Sequence, residues 1–145
     1  MTSLYVADNL ARDLIMHPGP EKILIIDDEP QMRRVLRNCL IAHGYEVSEA
    51  ASGEEALSKL GRGDCDFILL DLNLPGMDGI ETCRAIRSQS QVAIVIVSIR
   101  NSEKDKTAAW QAGANDYITK PFGIEELIER IQALGQKKSD EGQPS

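Results

Sequence analysis

Along this chain, short apolar runs alternate with longer stretches in which apolar residues recur every third or fourth position. Residues 22–26, 67–70 and 92–97 are the runs, and the last is rich in β-branched residues. Continuous apolar runs bounded by turn residues suit strands covered on both faces, as in a parallel sheet. Residues 45–50 alternate and predict a strand at or near an edge, and 116–119 predict a fifth strand. Met32, Val35, Leu36, Cys39 and Leu40 predict a helix that opens near Pro30 and closes at His43-Gly44. Ala56, Leu57 and Leu60 predict a second, from Ser52 or Gly53 to Gly61. Ile80, Cys83 and Ile86 predict a third over about 79–87, and a fourth covers roughly 103–112. Ile124, Leu127, Ile128, Ile131 and Leu134 predict a fifth over about 124–134.

Five strands alternating with five helices specify an α/β fold, a doubly wound parallel sheet with right-handed crossovers and helices on both faces. The strand order 2-1-3-4-5 leaves a switch point between the first and third strands, and such sheets bind ligands at their strands' carboxyl ends. Asp27 and Asp28 follow the first strand and Asp71 follows the third, so all three converge there. Ser98 and Lys120 end the fourth and fifth strands and close the other side.

The organisation expected is an N-terminal extension over 1–21, one domain over 22–135, and a polar tail or start of a linker over 136–145, frayed rather than folded. In the extension Val6, Leu10 and Leu14 form a weak helical stripe that His17-Pro18-Gly19-Pro20 cuts off. A chain of 145 residues, 42% hydrophobic and 27% charged, has the balance of a soluble globular protein. No apolar run approaches the roughly 20 residues of a membrane span, and the first residues lack a secretory signal, so a cytoplasmic location is expected. Cys39, Cys65 and Cys83 are widely spaced and predict reduced, mostly buried thiols. A net charge of −7 argues against the domain gripping nucleic acid by itself.

Three carboxylates brought together repel, and burying them unpaired is costly, so a cation is expected among them. Hard oxygen ligands with room for water suit Mg²⁺, which shares its remaining positions with phosphate oxygens. Lys120 adds a positive charge aimed at the same point, and the Ser98 hydroxyl can donate to an arriving anion. The set makes sense if a phosphoryl group is to arrive at Asp71, whose carboxylate would form an acyl phosphate. Singly, Ser98 suits a strand-end cap, Lys120 a solvated charge, and Asp27-Asp28 a helix dipole. Jointly, those readings need five coincidences at one edge.

Asp27-Asp28, Asp71, Ser98 and Lys120-Pro121-Phe122 resemble the signature of response-regulator receiver domains of two-component signalling, over about residues 21–135. Ser98-Ile99-Arg100 and the run from Gly113 to Gly123 look most like the OmpR/PhoB type, KdpE-like in flavour. The resemblance implies a flavodoxin-like, CheY-like (βα)5 sandwich. It implies phosphorylation of Asp71 by a sensor histidine kinase. Asp28, Asp71 and the Asn73 backbone carbonyl would bind Mg²⁺ directly, with Asp27 acting through water. Ser98 and Tyr117 would be the switch residues, and a cis Lys120-Pro121 bond would help aim Lys120. The family has a small residue after Ser98, whereas Ile99 stands here and is expected to narrow access to Asp71.

In this type the face of the fourth helix, fifth strand and fifth helix dimerises on phosphorylation. Matching positions imply cross-subunit pairs Lys106–Glu126 and Asp116–Arg130, with Trp110 and Ile128 as an apolar patch between them. Asn115 in place of an acid and Thr107 in place of an aliphatic depart from that pattern. The chain ends soon after the fifth helix, and the expectation is an excised receiver of a transcription regulator, or else a stand-alone phosphorelay receiver. Two rivals share the fold or the nucleophile. A Mg²⁺-dependent Asp-nucleophile phosphatase typically has a second acid two residues on, where this chain has Asn73. A flavin module would need a phosphate-cradling loop where this chain has Asp27-Asp28-Glu29.

Overall fold

A computed structural model describes residues 21–63 and 65–141, with side chains to residue 135. The proposed stripe of Val6, Leu10 and Leu14 lies outside the described residues. The strands are β1 (Lys22–Ile26), β2 (Glu46–Ala50), β3 (Phe67–Leu70), β4 (Ala93–Ser98) and β5 (Asp116–Thr119). The helices are α1 (Pro30–Ala42), α2 (Gly53–Leu60), α3 (Gly79–Gln89), α4 (Glu103–Ala112) and α5 (Ile124–Glu141). All pairings are parallel and the sheet order is β2-β1-β3-β4-β5, as the alternation predicts.

The two-sided burial of the runs explains why they carry no polar alternation. Ile23, Ile25, Phe67, Leu69, Val95, Val97 and Ile118 face α1 and α5. Leu24, Ile26, Ile68, Leu70, Ile94 and Ile96 face the opposite way, toward α2, α3 and α4. β2, at the sheet edge, alternates and is covered only in part.

Local chemistry sets the helix starts. Ser52, Asp78 and Ser102 each cap a helix by accepting the N–H of the third residue on, from Glu55, Glu81 and Asp105. Gly113 closes α4 in the left-handed conformation. Gly79 opens α3 so close to the end of β3 that a Cβ there would lie 2.3 Å from the Leu72 Cα.

Several expectations need correction. Of the apolar residues that predict α1, Leu36 and Leu40 are buried but Val35 is 52% exposed. α5 does not stop at Leu134; its backbone continues helical to Glu141, into the stretch expected to fray. Only Cys83 of the three cysteines is fully buried, and burial pushes its thiol up to about 11.

Candidate functional site

The parallel ladders run one residue past the strands and thereby place the acids. The Asp27 N–H donates to the Ala50 carbonyl at 3.1 Å, and the Asp71 N–H donates to the Ile26 carbonyl at 2.9 Å. Asp27 and Asp71 therefore leave neighbouring strands at the same level. With Asp28 they bring three carboxylates together, each offering an oxygen within 4.8 Å of the others. Asp27 and Asp71 are buried, at 2% and 7% exposure, while Asp28 is exposed. Nearly buried acids beside an open one form a cup with one face to solvent.

Lys120 enters from β5. The Lys120 N–H donates to the Ser98 carbonyl at 2.8 Å, which ties the ends of β4 and β5 together. Its Nζ lies 3.0 Å from Asp27 Oδ2 and 3.6 Å from Asp71 Oδ2. The Lys120-Pro121 bond is cis, as the resemblance implies. One ammonium facing three acids leaves a deficit of positive charge. Burial accordingly raises the Asp71 carboxyl above its ordinary value; Lys120 and the Asn73 N–H oppose that, and the Asp27 and Asp28 charges add to it. A cup of carboxylate oxygens that is short of positive charge suits a hard divalent cation, so the residues present fit Mg²⁺.

Ser98 is fully buried and its Oγ accepts the Arg100 N–H at 3.1 Å. Tyr117 is packed inward at 8% exposure, and its hydroxyl donates to the Arg100 carbonyl at 2.6 Å. Lys106 Nζ stands 6.0 Å from the centre of the Tyr117 ring, a cation–π contact within the chain. Asn73 is exposed, and its N–H donates to Asp71 Oδ1 at 3.2 Å. Ile99 is 66% exposed at the same edge.

On the α4-β5-α5 face the structure adds an intrachain ion pair and departs from the expected Trp110–Ile128 patch. Arg130 Nη1 meets Asp116 Oδ1 at 2.8 Å within one chain, and Arg130 Nη2 lies 3.9 Å from Glu126 Oε1. Asp116–Arg130 is thus an intrachain pair before any partner arrives. Ile128 is 6% exposed and packs into the core, so it does not form a surface patch with Trp110, which is 47% exposed. The reason is the α5 stripe: Leu127, Ile128 and Ile131 are the residues that cover the sheet.

Sequence reasoning missed three arrangements. Arg100 Nε donates to Asn73 Oδ1 at 2.7 Å. Glu54 on α2 accepts the Met77 N–H at 3.1 Å. Arg87 donates to the Gly113, Ser90 and Val92 carbonyls and to Asn115 Oδ1, and that oxygen also accepts the Ile94 N–H. Asn115 is therefore a structural acceptor in its own right and not merely a missing acid. No periodicity or motif signals contacts between such distant loops.

A doubly wound sheet with an acidic cation cup and an opposed lysine at its switch edge defines a class of protein built to handle a phosphoryl group or a similar anion beside a metal. The family model of the response regulator receiver domain matches residues 23–132, and the chain belongs to that family, as a receiver domain of two-component response regulators. It is 42% identical over 118 residues to transcriptional regulatory protein ResD of Bacillus subtilis (strain 168), covering 81% of this chain and 49% of that one. Sensory transduction protein RegX3 of Mycobacterium tuberculosis (strain ATCC 25618 / H37Rv) is 39% identical over 119 residues, covering 82% and 52%. The chain thus spans about half the length of the curated relatives it matches. These relatives agree with the OmpR/PhoB type. Among solved structures, response regulator TrrA of Thermotoga maritima in complex with Mg(2+)-BeF aligns with a TM-score of 0.73 at 35% identity, over 79% of this chain and 98% of that one. Among the described residues no helix is long and apolar enough to cross a membrane.

Proposed function

We propose that Asp71 accepts a phosphoryl group from the phosphohistidine of a sensor histidine kinase, in the cytoplasm, and that the charge so added switches the α4-β5-α5 face. The observation that carries this reading is the meeting of Asp27, Asp28 and Asp71 within 4.8 Å, with Lys120 as the one close ammonium among the described residues. Asp28, Asp71 and the Asn73 carbonyl would hold Mg²⁺, and Asp27 would act on it through water. Bound there, Mg²⁺ supplies the positive charge that shields the phosphoryl oxygens.

An Asp71 carboxylate oxygen attacks phosphorus, the bond from phosphorus to the donor nitrogen breaks, and the imidazole leaves with the electron pair. An acyl phosphate remains on Asp71. Lys120 stabilises charge on the transferred oxygens. Ser98 turns its hydroxyl proton toward one of them and gives up the Arg100 N–H it now accepts. Because the Arg100 carbonyl holds the Tyr117 hydroxyl, a shift of this loop reaches β5 directly. The acyl phosphate carries about −1.5 to −2 where the carboxylate carried −1, and charge moved outward in this way can bias such a two-state element.

Lys106, Trp110, Asp116, Glu126 and Arg130 frame the surface that pairs with a second copy, and Ile128 supports it from beneath. Transcription is controlled through an output domain, a reading supported by the transcriptional role in the name of the relative ResD. The protein catalyses only its own phosphorylation and dephosphorylation, because Asn73 gives no second acid for turnover. Ile99 limits access to Asp71, so Ile99→Ala speeds phosphorylation by a small donor. The domain comprises residues 22–135, flanked by an N-terminal extension over 1–21 and a polar tail or start of a linker over 136–145, into which α5 continues to Glu141.

Intact mass after incubation with Mg²⁺ and acetyl phosphate tests the reading. One phosphoryl group is expected on the wild type and none on Asp71→Asn. An unchanged wild-type mass, or equal labelling of Asp71→Asn, overturns it.

A further inference from the structure

The loop from Leu72 to Asp78 carries Asn73, and α2 holds that loop from outside the acidic cup. Glu54, in the first turn of α2, accepts the Met77 N–H at 3.1 Å. Its carboxyl lies below its ordinary value, held there by its own backbone N–H and then by that of Met77, with Ser52 contributing and slight burial opposing. The neighbouring Gly76 adopts a φ of +68°, and a Cβ on it would lie 3.4 Å from Glu54 Oε1. Gly53, one residue before Glu54, approaches so closely that a Cβ there would meet Thr82 Oγ1 at 2.1 Å and Met77 Sδ at 3.1 Å. Gly53 thus seats α2 against Thr82 of α3 and against Met77, and the Glu54 carboxylate holds the same Met77 from the side. At its inner end that loop bonds back to Asp71 through the Asn73 N–H.

We propose that Glu54 is a positioning residue for phosphoryl transfer to Asp71: by holding the Met77 N–H it fixes the loop that presents the Asn73 carbonyl to the cation. This rests on the proposed role of Asp71 as acceptor. A backbone carbonyl has no side-chain freedom with which to find its ligand, so the loop's own position decides whether it coordinates. Glu54 touches neither metal nor phosphorus. It lowers the cost of ordering the loop when the cation binds.

Two substitutions separate reach from charge. Glu54→Gln keeps an oxygen at the same distance and removes the charge, whereas Glu54→Asp keeps the charge and gives up one methylene of reach. Calorimetric Mg²⁺ titration in the absence of donor is the primary readout, with amide exchange at Met77 and acetyl-phosphate labelling beside it. Glu54→Asp is expected to weaken Mg²⁺ about threefold to tenfold, the range one modest hydrogen bond supports, and to speed Met77 exchange. Glu54→Gln is expected to stay near wild type in both. Wild-type Mg²⁺ affinity in Glu54→Asp, or weakening in Glu54→Gln alone, overturns the proposal, since the latter would mean that charge rather than the tether acts. If the wild type binds Mg²⁺ but takes no phosphoryl group while Asp71→Asn behaves identically, the acceptor reading fails instead.

Discussion

Arg100 Nε donates to Asn73 Oδ1 across 2.7 Å and so joins the loop after β4 to the loop after β3, beside Asp71. The same residue gives its N–H to Ser98 Oγ and its carbonyl to the Tyr117 hydroxyl, and its guanidinium lies 3.8 Å from Asp105. One residue, through its side chain on Asn73 and its backbone on Ser98 and Tyr117, therefore ties the loop of the proposed acceptor to the residues proposed to read it.

Arg100→Ala should shorten the life of the aspartyl phosphate by about twofold to tenfold, the worth of one such bond, because the two loops then part more readily to admit water. Loss of phosphoryl mass with time after donor removal measures this. A lifetime equal to wild type would show that the strap does not guard the site.

Asp71 carries a stability penalty that its substitution should relieve. Its folded-state pKa is raised, chiefly by burial, so the folded protein holds that proton more tightly than the unfolded chain. Above the folded pKa the charged form costs stability. As pH falls through that value toward the unfolded one, the metal-free protein should regain it, with full relief below the unfolded value. Asp71→Asn removes this contribution at neutral pH and should raise Tm in the metal-free protein. Mg²⁺ should stabilise the wild type more than the variant, and excess chelator should abolish the difference in Mg²⁺ response. A lower Tm for Asp71→Asn in chelator would contradict the account.

Lys120→Met leaves Asp27 and Asp71 without the ammonium that lies 3.0 and 3.6 Å away. Denaturant melts should show a loss of about 3 kcal/mol in the metal-free protein, typical of a buried charge stripped of its partner. The loss should shrink in the background of Asp71→Asn, since fewer negative charges then remain. Additive losses would mean that Lys120 and Asp71 act independently.

Arg130 tests the output face. Its bond to Asp116 is exposed, so Arg130→Ala should cost the unphosphorylated protein only about 0.2–1 kcal/mol. Size-exclusion with beryllofluoride and Mg²⁺ should give a dimer for wild type and a monomer for Arg130→Ala, because the pair must change partners across the interface. A dimer in both would move the interface elsewhere.

The candidate site was legible at its anchors and opaque in its supports. Asp27, Asp28, Asp71, Ser98 and Lys120 could be read because each stands at or just past the end of an expected strand, and a parallel sheet brings such strand ends to one edge. Asn73 was assigned through its backbone, yet its side chain turned out to be held by Arg100. Glu54 lies in the first turn of α2, and nothing local ties it to Met77 on another loop. Ile128 is the instructive miss. Its place in the α5 stripe predicted burial, and an interface role taken from a resemblance overrode that pattern.

By itself the sequence determined the number, kind and order of the elements, and hence which strand ends carry acids. These follow from spacing along the chain, where the apolar period and the turn residues act over a few positions. Only the tertiary structure decided which side chains meet across loops: Arg100 with Asn73, Glu54 with Met77, Arg130 with Asp116 inside one chain. Those partners lie far apart in sequence or on separate elements, and their meeting depends on how helices seat against the sheet, which no local period encodes.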